Sequence, residues 1–252
     1  MDIYQAPANY RPTARLLQGR RILVTGAGDG IGRAAALAYA AHGATVILLG
    51  RTESKLEAVY DEIEAAGHPK PALVEMDLAT VTDDQCVHLA QGLGEEFGQL
   101  DGLLHNASVL GERGPIESAS YQAWQEVMQV NVNAQFVLTR RLLPLLQASP
   151  SASIVLTSSG VGRTGRAYWG AYAVSKFATE GFMQVLSAEL ENTSQIRVNC
   201  INPGGTNTAM RRSAYPAENP TDNPSAEEIM GIYLYLMGGD SAETTGVSFN
   251  AQ

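Results

Sequence analysis

Short, nearly unbroken apolar runs alternate with longer helical stretches from Arg21 onward, and this alternation leaves few architectures open. The strand candidates are Ile22–Thr25, Thr45–Leu49, Ala72–Met76, Gly102–His105, Ser153–Thr157 and Arg197–Ile201, with Val247–Phe249 as a seventh. Strands apolar at almost every position need cover on both faces. The helix candidates are Ile31–Ala41, Glu53–Ala66, Asp83–Phe97, Tyr121–Leu146, Ala171–Glu191 and Ala226–Met237. The first is rich in alanine, the best helix former, and the second stops at Gly67. Strand–helix alternation of this kind predicts an α/β chain: a doubly wound parallel sheet of about seven strands with helices on both faces. Right-handed crossovers gather the loops after the strands at one edge, where such sheets bind ligands.

The 252 residues suit one such domain, read as 20–252 behind an irregular N-terminal arm, 1–19. The rhythm breaks once, over 203–224, where Pro203, Pro216, Pro220 and Pro224 punctuate a segment too long for an ordinary connection. Loops of this length are usually functional, and it reads as a mobile substrate lid. A net charge of −9 argues against nucleic acid as the main partner, though a helix N-terminus can still hold a phosphate. Cys86 and Cys200 show no metal-ligand spacing, so no metal is expected, and Cys200 lies in an apolar run as a buried thiol would. Residues 1–19 have no apolar signal region, and no stretch reaches the ~18 apolar residues of a membrane span. The expectation is a cytoplasmic protein without membrane attachment.

The first strand runs into Thr25-Gly26-Ala27-Gly28-Asp29-Gly30-Ile31-Gly32 and then into the alanine-rich helix. Glycines there allow a sharp turn and bring backbone N–H groups close to a pyrophosphate at the positive helix end. The spacing is TGxxxGxG, with Gly26, Gly30 and Gly32 as its key positions. At this point the sequence resembles the short-chain dehydrogenase/reductase family. The resemblance covers about residues 19–249, implies a single-domain Rossmann-like fold, and is nearest to a bacterial subgroup of YciK-type oxidoreductases.

The end of the second strand selects between nucleotides. An acid there would bind the adenosine ribose hydroxyls of NAD, but this chain has Gly50-Arg51. The planar fork of Arg51 can pair with a 2′-phosphate, which favours NADP(H) over NAD(H). A solvated arginine opening a helix is the plain alternative, and Asp29 in the glycine loop stands against a phosphate. The resemblance implies adenine contacts from Asp77 and Leu78. It also places Asn106 and Ala107 along the cofactor, in His105-Asn106-Ala107-Ser108, where His105 and Ser108 depart from the family pattern.

The chemistry centres on Tyr172-Ala173-Val174-Ser175-Lys176. Residues four apart share one helical face, so a phenol and an ammonium reach the same site. A neighbouring cation lowers a phenol's pKa from its usual ~10 toward what a general base needs. Ser159 ends the fifth strand, where its hydroxyl can bond a substrate oxygen. By resemblance Asn131 completes the catalytic set, holding a water that links the lysine to solvent. The resemblance also gives Pro203, Gly204, Thr206 and Thr208 to the nicotinamide carboxamide.

The implied reaction is hydride transfer between a nicotinamide and a small carbonyl or alcohol, with Tyr172 as acid/base. Tyr168, Trp169, Met210 and Tyr215 are candidates for a substrate pocket or for packing. Arg163, Arg166, Arg211 and Arg212 can bind a substrate carboxylate or sit at the surface. The resemblance implies that the long helices pair subunits into a homodimer or homotetramer. A non-catalytic NADP(H)-binding regulator on the same fold is the rival reading.

Overall fold

The computed structural model describes residues 3–7 and 10–252. Its eight parallel strands lie in the order β1-β8-β7-β6-β5-β2-β3-β4. In chain order they are β1 (Ile3–Gln5), β2 (Arg21–Thr25), β3 (Thr45–Gly50), β4 (Ala72–Glu75), β5 (Gly102–His105), β6 (Ala152–Thr157), β7 (Ile196–Asn202) and β8 (Ser248–Asn250). The helices are α1 (Gly30–Ala41), α2 (Glu53–Ala65), α3 (Asp83–Phe97), α4 (Tyr121–Met128), α5 (Ala134–Gln147), α6 (Gly170–Leu190), α7 (Ala209–Ala214) and α8 (Met230–Met237).

The double-faced burial expected of the strands is visible residue by residue. Ile22, Val24, Val46 and Leu48 enter the core beneath α1, α2 and α8. The alternate positions Leu23, Ile47 and Leu49 enter the core beneath α3, α5 and α6. Period-two alternation thus feeds two cores, and both read as apolar. The loops after the β2, β5, β6 and β7 strands meet at one edge. Strand order reverses between β2 and β5, which opens the crevice there.

Three sequence expectations change. The N-terminal arm is not irregular: Ile3, Tyr4 and Gln5 pair with Ser248, Phe249 and Asn250 as an eighth, edge strand. Both Ile3 and Tyr4 stay half exposed, so no burial pattern announces the strand; main-chain bonding makes it. Farther along, Leu17 is fully buried. The arm's residues 1, 2, 8 and 9 lie outside the described ones.

The helix expected over Tyr121–Leu146 is interrupted. A π-helical turn, Gln129–Asn133, separates α4 from α5. Such turns recur at functional sites because they free main-chain groups from the regular ladder. The segment 203–224 is also more ordered than a bare loop. It contains α7 and a short 3₁₀ turn, Pro220–Asp222, and its ends are tied where Asn207 N–H donates to the Pro224 carbonyl at 2.9 Å.

Candidate active site

The site is a cleft of about 490 Å³ along the C-terminal edge of the sheet. Its walls include Gly26, Gly28, Asp29, Gly30, Ile31 and Arg51 at one end and Ser159, Tyr172 and Lys176 at the other. Asp77, Leu78, Asn106, Ala107, Pro203, Gly204, Thr206 and Thr208 lie between and around them. Of the residues expected to hold the cofactor or act in catalysis, only Gly32 and Asn131 do not line it. Both act from behind the wall.

The glycine loop is built to bring backbone close. Gly26 has φ +69°, a left-handed conformation that costs other residues a steric penalty. Gly32 packs so tightly against the Gly26 carbonyl and the Asn106 amide that a Cβ would collide with both. Asp29 caps α1 by accepting from Gly30 N–H at 2.8 Å. Its other oxygen accepts from Lys55 Nζ at 2.5 Å. Asp29 is therefore engaged by a cation, and the pair holds its carboxyl below the ordinary range. The opposition to a phosphate expected from Asp29 is correspondingly weakened. Arg51 is exposed and makes no ion pair among the described residues. Lys55, which also lines the cleft, was missed from sequence. It lies in the first turn of α2, with Arg51 just ahead of the Thr52 N-cap, and both cations line the cleft.

Thr25 sets the middle of the cleft. Its hydroxyl accepts from the N–H groups of Asn106 at 3.0 Å and Ala107 at 3.1 Å, pinning the chain that leaves β5. His105 is buried against the Thr139 hydroxyl at 2.8 Å. Burial pushes its pKa down to about 3, so it is a neutral structural residue.

At the chemical end, α6 presents Tyr172 and Lys176 on one face, both buried. The Ser159 hydroxyl lies near enough to the phenol to act on its pKa. Lys176 Nζ donates to the Thr157 carbonyl at 2.9 Å and lies 5.5 Å from the centre of the Tyr172 ring. The electrostatics correct the sequence expectation. Burial pushes the Tyr172 phenol up to about 12, and Ser159 lowers it only partly. Burial also pulls Lys176 down to about 8, against the raising effect of Cys200 and Glu180. Desolvation sets both shifts, because both groups leave water together.

Asn131 is fully buried, and its side chain is fully used. Its Oδ1 accepts from Val109 N–H at 2.8 Å; its Nδ2 donates to the Val109 carbonyl and the Ser175 hydroxyl, each at 3.0 Å. The side chain clamps the loop after β5 to α6 and leaves no amide donor for the expected water. Ser175, the anchor on α6, carried no signal of its own in the YxxxK pattern.

Over this end sits an apolar cluster of Val161, Trp169, Tyr172, Ala173 and Ala214, with Leu110, Met210 and Tyr215 against it. Trp169, Met210 and Tyr215 line the cleft as expected, but Tyr168 does not. Tyr168 is 62% exposed with φ +70°, a strained turn from which its neighbour Trp169 is buried. Among the candidate arginines, Arg163 is buried in an ion pair with Glu180 at 3.1 Å and cannot meet a substrate. Arg212 donates to Asn207 Oδ1 at 2.8 Å.

Residues 20–219 match the short chain dehydrogenase family. The chain belongs to the short-chain dehydrogenase family. It is 55% identical over 244 residues to the oxidoreductase YciK of Escherichia coli K12, covering 97% of this chain and 96% of that one. A short chain dehydrogenase structure from Pseudomonas syringae is 56% identical, with a TM-score of 0.94 over 98% of this chain and 100% of that one. Another from Shigella flexneri 2a, complexed with NADP, is 55% identical with a TM-score of 0.93, covering 95% and 100%. The glycine loop and the Tyr172–Lys176 pair of this short-chain dehydrogenase thus sit on the family's own scaffold. Among the described residues, no helix is long and apolar enough to cross a membrane.

Proposed function

We propose that the protein is an NADP(H)-dependent oxidoreductase that reduces a carbonyl, or oxidises the corresponding alcohol, with Tyr172 as acid/base. One observation carries the reading: Ser159, Tyr172 and Lys176 converge at one end of a cleft whose other end is a glycine loop on a helix N-terminus. The cleft fits a dinucleotide in kind as well as length. Backbone N–H groups at the start of α1 would hold the pyrophosphate, Arg51 and Lys55 the 2′-phosphate, and Asp77 and Leu78 the adenine. Asn106 and Ala107 would flank the nicotinamide ribose. Pro203, Gly204, Thr206 and Thr208 would hold the carboxamide, and Lys176 would reach the ribose hydroxyls. The NADP complex of the Shigella relative supports this choice of nucleotide.

The bound nicotinamide supplies the hydride. The remaining work falls to the protein's own groups. Tyr172, with its phenol raised to about 12, holds its proton at neutral pH and is poised to donate it to a carbonyl oxygen. Ser159, beside that phenol, donates to the same oxygen and stabilises the charge that builds there. Lys176 refills the proton relay, and the main chain of the π turn carries it toward solvent. Asn131 holds that turn in register. The 203–224 segment, bearing Met210 and Tyr215, closes over the substrate. The exposed row Phe136, Val174, Phe177 and Val185 on α5 and α6 supports pairing of subunits into a homodimer or homotetramer.

Two tests follow from the electrostatics. Arg51→Asp should weaken NADPH binding by about tenfold or more while sparing NADH, the loss of one charge-assisted phosphate contact. Titrating both nucleotides by calorimetry checks it; unchanged NADPH affinity would leave Arg51 a surface residue. The second concerns pH. Lys176 is charged below about 8 and neutral above, whereas Tyr172 keeps its proton until about 12. The rate of reduction should therefore fall as pH rises through about 8, with the limb set by Lys176. Lys176→Arg should move that limb to higher pH, since a guanidinium stays charged; a limb left in place would assign it elsewhere.

A further inference from the structure

Three guanidinium groups converge on the Tyr215 ring, which lines the substrate end of the cleft; Arg211 lines it too, while Arg113 and Arg166 stand outside the ring wall. Arg211 Cζ lies 3.9 Å from the centre of the Tyr215 ring and Arg113 Cζ lies 5.2 Å from it. Arg166 donates to the Tyr215 hydroxyl at 2.9 Å. Arg113 is shared with the next ring inward, 4.6 Å from the centre of Trp169. In a chain of net charge −9, such a concentration of one sign beside a cleft needs a reason.

Only one of the three charges is balanced. Arg211 is held bidentately by Glu218, with both contacts at 2.6 Å. Arg113 donates to the Ala214 carbonyl, and Arg166 to the Tyr215 phenol, both neutral acceptors. Neither makes an ion pair among the described residues, although an exposed guanidinium in an acidic protein has many carboxylates to choose from. Stacking on Trp169 and Tyr215 fixes the Arg113 fork in place while leaving donors unused, so less freedom is lost when it takes an anion.

The rings also give a scale. Trp169 lies 5.8 Å from Tyr172 on one side and 5.8 Å from Tyr215 on the other, centre to centre. A substrate whose carbonyl meets Tyr172 would run along the indole and end among the arginines. Leu110, Met210 and Ala214 make the rest of that wall apolar.

We propose that the substrate class is carbonyl compounds bearing a carboxylate, separated from the carbonyl by a flat apolar or aryl segment. The segment lies along Trp169, and Arg113 and Arg166 hold the carboxylate beside Tyr215. The assignment rests on the reductase reading above for the position of the carbonyl, but the anion site itself can be tested without turnover.

The probes are 4-acetylbenzoate and its neutral isostere 4-acetylbenzamide. Their binding is measured by calorimetry on the Tyr172→Phe protein saturated with NADP⁺, which has no hydride to give to a ketone. The acid should bind about tenfold more tightly than the amide, and Arg113→Gln with Arg166→Gln should bring the two affinities within about twofold, as expected on losing charge-assisted contacts. Raising salt should erode the preference in the parent protein and not in the double variant. Equal affinities in the parent, or a preference that survives both substitutions, would overturn the proposal. Preferential binding of the acid by a wild-type enzyme that reduces no carbonyl would instead leave the anion site standing and overturn the reductase reading.

Discussion

Tyr172→Phe should lower the rate of NADPH-dependent carbonyl reduction by at least ~100-fold while leaving the affinity for NADPH nearly unchanged. The substitution removes one oxygen and keeps the ring that packs 5.8 Å from Trp169, so the apolar cluster above the site survives. What is lost is the proton that burial holds on the phenol to about pH 12. Ser159 alone can still bond the substrate oxygen, which accounts for a residual rate. A structural role for Tyr172 predicts a different pattern: lower thermal stability, with the turnover of the folded fraction intact. Measuring kcat, NADPH affinity and Tm on the same preparation separates the two.

The second large effect concerns stability. Arg163→Ala should destabilise the fold by about 3–5 kcal/mol, because it strips the cation from a buried carboxylate. The side chains of Arg163 and Glu180 are only 9% and 4% exposed. The guanidinium also donates to Asn250 Oδ1 and the Ser248 hydroxyl, each at 2.6 Å, and to the Phe249 carbonyl at 2.9 Å. It therefore ties the segment after Ser159, the catalytic helix α6 and the β8 strand into one network. In a chain of this size that loss should lower Tm by about 10 °C. Amide exchange should rise first in β8 and in β1, which pairs with it. A shift of under a degree would mean that solvent replaces the network at no cost.

The buried framework was legible in the sequence because burial writes itself in side-chain pattern. The β5 strand and α3 were read to the residue and most other boundaries moved by one position, where main-chain bonding decides, but the helix expected from Ala226 begins only at Met230, after the 3₁₀ turn Glu227–Ile229. Elements that depend on main-chain geometry left no such mark. The strand Ile3–Gln5 is half exposed, and the π turn at Gln129–Asn133 interrupts a stretch whose apolar spacing is helical throughout. At the site, motif spacing brought Ser159, Tyr172 and Lys176 forward because their chemistry needs a fixed separation along the chain. It could not reveal Lys55, whose partner Asp29 is in another element. Nor could it reveal Arg113, which reaches Trp169 and Tyr215 across the fold. The direction of the Tyr172 shift was misread for the same reason: a neighbouring cation is visible in sequence, but the loss of water around both groups is not.

The central claim is that this cleft transfers hydride from NADPH to a carbonyl carbon. Its most direct test uses NADPH carrying deuterium at both C4 positions of the nicotinamide, with 4-acetylbenzoate as acceptor and mass spectrometry of the product. The account predicts an alcohol with one deuterium on the carbinol carbon, formed by the wild type and nearly absent with Tyr172→Phe. An unlabelled alcohol, or equal product from both proteins, would contradict it.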